Sequence, residues 1–239
     1  MTLMVTRAQA QESCERFWQW FNSDSGCPEH HPEEEVIRFL SGRRAQLGEK
    51  VGEARVLDLG SGSGKHSVLV ASLGFQLVCV DWSAPGLDYT RRRLEKESLS
   101  GQQEVTDFRD HKLPFESDYF DFVVGMQVFD HVFDADARAL LEEVRRVTKP
   151  CGEMLLSLMT TGTTKKNRLG RPVEGEARTF LCDEGNSAGE IHRLFTPDEA
   201  DEFVSSKFTI LDSVVISFFY DRRDEVAEAK YFTVRKQAG

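Results

Sequence analysis

The segment Arg55-Val56-Leu57-Asp58-Leu59, followed at once by Gly60-Ser61-Gly62-Ser63-Gly64, constrains this chain more than any other. A short apolar run that breaks into three alternating glycines reads as a strand turning sharply into a helix. Glycine at such a turn lets the backbone pass close to a ligand and offer amide N–H groups to it. The helix is expected from about Lys65 to Gly74, a natural C-terminal stop. A second apolar run, 75–80, ends at Asp81. Ser83 and Pro85 then open a helix through Arg91-Arg92-Arg93-Leu94 towards Gly101.

The alternation continues. A short third strand is expected at 104–106 and a clear fourth at 120–126. Leu140, Leu141, Val144 and Val147 repeat at helical spacing, and Pro150-Cys151-Gly152 is expected to close that helix. Residues 154–158 form a fifth strand. Strands alternating with amphipathic helices mark a parallel α/β sheet built from βαβ units. Residues 160–186 are polar and aperiodic, and Thr196-Pro197-Asp198-Glu199 starts a further helix. Two last apolar runs, 210–219 and 231–234, are separated by about a dozen polar residues, too few for a helical crossover, so they should pair antiparallel. At the front, 12–21 and 33–47 are helical in pattern. Residues 1–50 are thus an N-terminal helical appendage, able to serve as a lid, ahead of one domain over 51–239 with a substrate-side insert at about 160–195.

Composition narrows the function. A chain of 239 residues suits one α/β domain. Thirty basic residues against forty acidic give a net charge of −10, which repels a phosphate backbone and argues against a nucleic-acid module. No apolar run approaches the roughly 18 residues of a membrane span, and the first residues lack a signal-peptide core. Five cysteines without a C-x-x-C pair argue against a disulfide framework or metal site. A soluble, cytoplasmic protein with a small-molecule partner is expected. Its oligomeric state is not legible.

Three ligand classes use a glycine-rich turn. A P-loop fails, because Gly64-Lys65 is followed by His66 and Leu59 stands where the first glycine belongs. A dinucleotide fingerprint also fits poorly: its third glycine would fall on Lys65 or Ser67, and Asp58 would repel a pyrophosphate by about 4 kcal/mol at 4 Å and an effective dielectric near 20. A cationic cofactor reverses that sign. Acid-x-Gly-x-Gly-x-Gly from Asp58 resembles the class I S-adenosylmethionine-dependent methyltransferases. Further landmarks agree: Asp81 at the end of the second strand, Asp107-Phe108 after the third, Leu113-Pro114-Phe115 before Phe120-Asp121-Phe122-Val123-Val124, and Lys149-Pro150-Cys151-Gly152, where Cys151 replaces a glycine.

The resemblance implies a Rossmann-like, doubly wound, seven-stranded sheet of order 3-2-1-4-5-7-6, the last strand antiparallel, with helices on both faces. It implies S-adenosyl-L-methionine as cofactor, held by Asp58, Gly60, Ser61, Gly62, Gly64, Asp81, Trp82, Asp107, Phe108 and Gln127. Asp81 would take the ribose hydroxyls, and Trp82 and Asp107-Phe108 the adenine. His131 and Asp130 are candidate general bases, with Trp18, Trp20, His192, Arg193 and Tyr220 on the substrate side. Five Lys/Arg against two Glu in 160–178 would favour an anionic acceptor. The expected activity is in-line methyl transfer to a small-molecule nucleophile. A non-catalytic S-adenosylmethionine-binding domain, an aminopropyl transferase and an NAD-dependent oxidoreductase stand as alternatives.

Overall fold

The computed structural model describes residues 4–21, 31–105, 112–164, 170–184, 188–220 and 225–237. The chain opens with α1 (Arg7–Phe21) and α2 (Glu34–Leu47). It then alternates β1 (Arg55–Leu59), α3 (Lys65–Ser72), β2 (Gln76–Asp81), α4 (Ala84–Lys96), β3 (Gln102–Val105), β4 (Phe120–Gly125), α5 (Asp134–Val147) and β5 (Thr148–Met159). Three very short strands follow, β6 (Arg171–Pro172), β7 (Thr179–Leu181) and β8 (Ile191–Arg193). The chain finishes with α6 (Pro197–Ser205), β9 (Thr209–Tyr220) and β10 (Glu225–Arg235).

Seven strands make the main sheet, in the order β3-β2-β1-β4-β5-β10-β9. The pairs among β1 to β5 are parallel, and β10 runs antiparallel to both β5 and β9. Side chains alternate across a strand, so each strand feeds two cores. Leu57, Leu59, Val78, Val80 and Val123 pack with α5 and α6 on one face. Val56, Leu77, Cys79 and Val124 pack with α2, α3 and α4 on the other. The buried stripe of α5, from Ala137 through Leu140, Leu141 and Val144 to Val147, follows the helical period. Burying each leucine or valine there contributes roughly 1.5–3 kcal/mol.

Helix starts are locally encoded. The Ser83 hydroxyl accepts the Gly86 amide at the head of α4, and Thr196 with Glu199 forms a reciprocal capping box on α6. Among the described residues no helix is long and apolar enough to cross a membrane.

Three local expectations are corrected. β5 begins at Thr148, so Pro150-Cys151-Gly152 lies inside an extended strand rather than closing a helix. The pairing with β4 slips there, and Cys151 adopts φ +62°, so the segment is a bulge. The third strand sits at Gln102–Val105, slightly earlier than expected. The aperiodic insert is not merely a loop, since β6, β7 and β8 form a small antiparallel sheet.

The appendage also divides. Val36, Phe39 and Leu40 of α2 pack in the main core. Ala10 and Cys14 of α1 pack with Phe133 and with Val173, Leu181 and Ile191 of the insert. Val5 bridges Val173 and exchanges backbone hydrogen bonds with Pro172 and Glu174. Helix α1 and the small sheet therefore form one cap.

Candidate functional site

The site is built where β1, β2 and β4 end, below the cap. After β1, Gly60, Gly62 and Gly64 take φ of +68°, +50° and +74°. A Cβ on Gly60 would lie 2.7 Å from Val128 Cγ2, so conformation and crowding both demand glycine. The loop's amides are already used: Gly60 and Ser61 donate to the Val80 carbonyl, Gly62 to Asp81 Oδ2 at 2.8 Å, and Gly64 to the Ser61 carbonyl. These four N–H groups are therefore not the open cradle a pyrophosphate requires. The Ser61 hydroxyl, by contrast, is buried without a hydrogen-bond partner.

Asp81 ends β2, buried yet lining the cavity. Its Oδ1 accepts the Ser83 amide at 2.7 Å and its Oδ2 accepts Gly62. Burial pushes its carboxyl up to about 6 against those backbone donors, with nearby Asp58 adding to the rise. Each oxygen keeps lone-pair capacity for a further donor.

Asp58 faces away from the cavity lining. Its Oδ2 accepts the Ser67 hydroxyl at 2.5 Å, and the His66 ring lies 4.0 Å from Oδ1. Burial raises its carboxyl, partly offset by His66 and Ser67. The far side of His66 meets Glu33, which also takes Lys65 Nζ at 2.7 Å. Asp58 thus anchors the start of α3 beneath the loop.

Beyond β4, Gln127 has φ +54°, a strained value for a residue with a side chain, and its amide donates to Ser157 Oγ at 3.0 Å. Gln127, Val128 and His131 line the cavity. The two candidate bases differ in placement. Asp130 is buried, and its Oδ1 accepts the Met159 amide at 2.7 Å, outside the cavity lining. His131 Nδ1 lies 2.8 Å from the Ile191 carbonyl. Burial lowers the His131 pKa, opposed by Glu190.

From the cap, Gln11, Cys14, Glu15 and Trp18 of α1 and Ile191 of β8 close over Gly60, Gly62, Asp81 and Trp82. Val132, Phe133 and Asp136 complete the wall of a cavity of about 100 Å³, open on one side. Trp18 meets the His131 ring edge-on at 5.1 Å.

Other sequence candidates lie elsewhere. Trp20 is half exposed on the outer side of α1. Arg193 is ion-paired with Asp134 and stacked over Phe195, away from the cavity. His192 is fully buried behind the cavity wall. Tyr220 ends β9, and its side chain, like Asp107 and Phe108 entirely, lies outside the described residues. The described basic residues of the insert, Arg171 and Arg178, do not line the cavity either. Arg171 pairs with Asp183 and Arg178 with Glu199, and among the described residues no Lys or Arg lines the cavity. Lys165, Lys166 and Arg168 are outside the described residues.

Sequence reasoning missed Gln11, Glu15, Asp136 and Glu190. Glu190 sits between two imidazoles: its Oε2 is 2.6 Å from His192 Nε2 and its Oε1 is 3.4 Å from His131 Nδ1. The ligand atoms of these three residues lie within 4.8 Å of one another, close enough to share an ion. Yet 2.6 Å is a hydrogen-bond length, shorter than two ligands about 2.0–2.2 Å from one tetrahedral ion would sit.

A mainly parallel, doubly wound sheet with its cavity across the carboxyl ends of the strands at the topological switch is the architecture of nucleoside-cofactor domains. Residues 56–152 match the family model described as a methyltransferase domain, a match that supports the class I S-adenosylmethionine-dependent methyltransferase family. It is 30% identical over 177 residues to a glycine/sarcosine/dimethylglycine N-methyltransferase of Actinopolyspora halophila, covering 73% of this chain and 31% of that protein. A cypemycin N-terminal methyltransferase of a Streptomyces species is 29% identical over 187 residues, covering 77% of this chain and 71% of that one. The chain thus spans under a third of the first relative's length. Among solved structures, the PH0226 protein of Pyrococcus horikoshii OT3 superposes with a TM-score of 0.67 at 20% identity, covering 91% of this chain and 95% of that one. The cyclase SpnF does so at 0.68 and 17%, covering 100% and 99%. These two likenesses establish the fold alone.

Proposed function

We propose that this chain catalyses S-adenosylmethionine-dependent methyl transfer to a small molecule. The observation that carries the reading is Asp81, a cavity-lining carboxylate beside a glycine turn whose amides are largely spent. That pairing suits two ribose hydroxyls and repels a pyrophosphate. The cofactor supplies a methyl group already activated on a cationic sulfur.

The residues present fit such a group. Asp81 would accept the two ribose hydroxyls, and Trp82 would offer a face to the adenine. Gln127 meets the amino-acid end, and Trp18 and Ile191 exclude water over the reacting atoms. With an activated methyl group, the protein's main task is alignment, which can supply roughly 7–11 kcal/mol of barrier lowering. Of the two candidate bases, His131 is the one on the cavity wall.

Calorimetry with S-adenosylhomocysteine and with NAD, followed by methyl transfer on a metabolite pool, tests this. Binding of the adenosyl compound alone with turnover supports it. Uptake of NAD instead defeats it, and tight adenosyl binding without turnover replaces the enzyme with a binding module.

A further inference from the structure

From the Glu190–His192 pair behind His131, we infer that Glu190 is a positioning residue that holds His131 as a general base, and that the acceptor is a hydroxyl on a molecule without an anionic group, such as a phenol. This rests on the methyl-transfer reading above.

The tautomer of His131 follows from its partner. A carbonyl oxygen only accepts, so Nδ1, 2.8 Å from the Ile191 carbonyl, carries the hydrogen. The neutral ring therefore has its lone pair on Nε2. His131 lines the cavity, and Nε2 is the ring nitrogen that the Ile191 carbonyl leaves available. When Nε2 takes a proton, positive charge appears on a ring whose side chain is only 10% exposed. Glu190 Oε1, 3.4 Å from Nδ1, is the group placed to balance it.

Glu190 is itself prepared for that task. Glu190 immediately precedes β8, and its carboxylate meets the ring of His192 on that strand. His192 Nε2 donates to Glu190 Oε2 at 2.6 Å, satisfying a carboxylate that is only 7% exposed. A buried carboxylate is costly without such partners. The other charged groups around the ring are Asp130 on its own turn and, across the cavity, Glu15 of α1 and Asp136 of α5. An imidazole backed by a buried carboxylate is the arrangement that fixes a base and stabilises its protonated form.

The chemistry of the wall then selects the acceptor. The Nε2 lone pair removes the hydroxyl proton as the oxygen forms its bond to the methyl carbon and the carbon–sulfur bond breaks. The electron pair of that bond leaves with the sulfur, giving a neutral thioether and a histidinium. A thiol, which ionises readily in water, has little need of this device. Among the described lining residues, Gln11, Glu15, Gln127 and Asp136 stand beside the apolar Val128, Val132, Phe133 and Ile191, and none is Lys or Arg, so none pairs with a carboxylate or phosphate of the acceptor.

Nitrogen-15 NMR of the histidine rings in the wild-type protein tests the geometry without any acceptor. We expect His131 in the Nδ1–H form, titrating with pH, with E190Q lowering its midpoint by about 1–3 pH units and E190D restoring most of that shift. An Nε2–H ring, a ring that does not titrate, or a midpoint unmoved in E190Q overturns the inference. So does a stoichiometric divalent ion in the purified protein that E190Q loses. Should E190Q not fold, the wild-type tautomer and titration decide alone.

Kinetics with phenol, catechol and benzenethiol as probes test the acceptor. We expect E190Q to lower kcat for the phenols about tenfold or more, with KM and the benzenethiol rate within about twofold. Turnover of simple amines but not phenols overturns the acceptor class. Failure of the protein to bind S-adenosylhomocysteine would instead strike the methyl-transfer reading and leave the NMR result standing.

Discussion

On the proposed reading, Asp81 would couple cofactor affinity to pH. Its carboxyl is raised to about 6, so a protonated fraction grows as pH falls through that value. Ribose hydroxyls bond best to the ionised form. Affinity for S-adenosylhomocysteine should therefore be flat above about pH 7 and fall up to tenfold per unit below about 6, read by calorimetry across that range. Two charge-assisted bonds of about 1.5–3 kcal/mol each predict at least a hundredfold weaker binding for Asp81→Ala. Unchanged affinity would remove Asp81 from the site. Cys151 makes a prediction about stability instead. It holds φ +62° on an exposed bulge where the family pattern has glycine. Strain of about 1–2 kcal/mol, less the entropy that glycine adds to the unfolded chain, predicts that Cys151→Gly stabilises by about 0.5–1 kcal/mol in urea denaturation.

At the scale of elements, the tie between the start of α2 and the start of α3 is the clearest electrostatic feature. Glu33 is mostly buried, which raises its carboxyl, but hydrogen bonds and charge from His66 and Lys65 outweigh that and bring it to about 2. A depressed carboxyl contributes stability above its unfolded value near 4.5, and the contribution is lost as pH falls towards 2. The wild-type advantage over Glu33→Gln in thermal melts should accordingly be full at pH 5–6 and shrink below 4.5. A constant difference at all pH values would refute the tie.

The elements differ in how plainly the sequence announces them. β1, β2 and β4 are written as apolar runs between glycines and polar turns, and Asp81 is visible because it ends one of them. β6, β7 and β8 are two or three residues long, too short to show a period, so only tertiary packing reveals them. Glu190 was hidden for the same reason. It lies just before β8, and its meeting with His192 and His131 shows only once that strand is placed. The orientation of Asp58 was equally invisible, because one β-residue pointing to Ser67 rather than to a ligand leaves no mark in the spacing.

For the whole molecule, the cap decides access. Trp18 on α1 and Ile191 on β8 line the same cavity as Gly62 and Asp81, and α1 shares its core with the small sheet. Occupation of the cavity should therefore slow hydrogen exchange in residues 7–21 and 188–195 together when S-adenosylhomocysteine is added. Protection of the glycine turn alone would show that the cap is independent of the bound nucleoside.

The stitch between Val5 and Val173 joins the front of the chain to the insert after β5. Anyone recombining this protein with a relative to change what it modifies inherits that constraint. A crossover point between the front helix and the insert would mate two halves of a lid never selected to fit, so chimeras must carry both pieces from one parent.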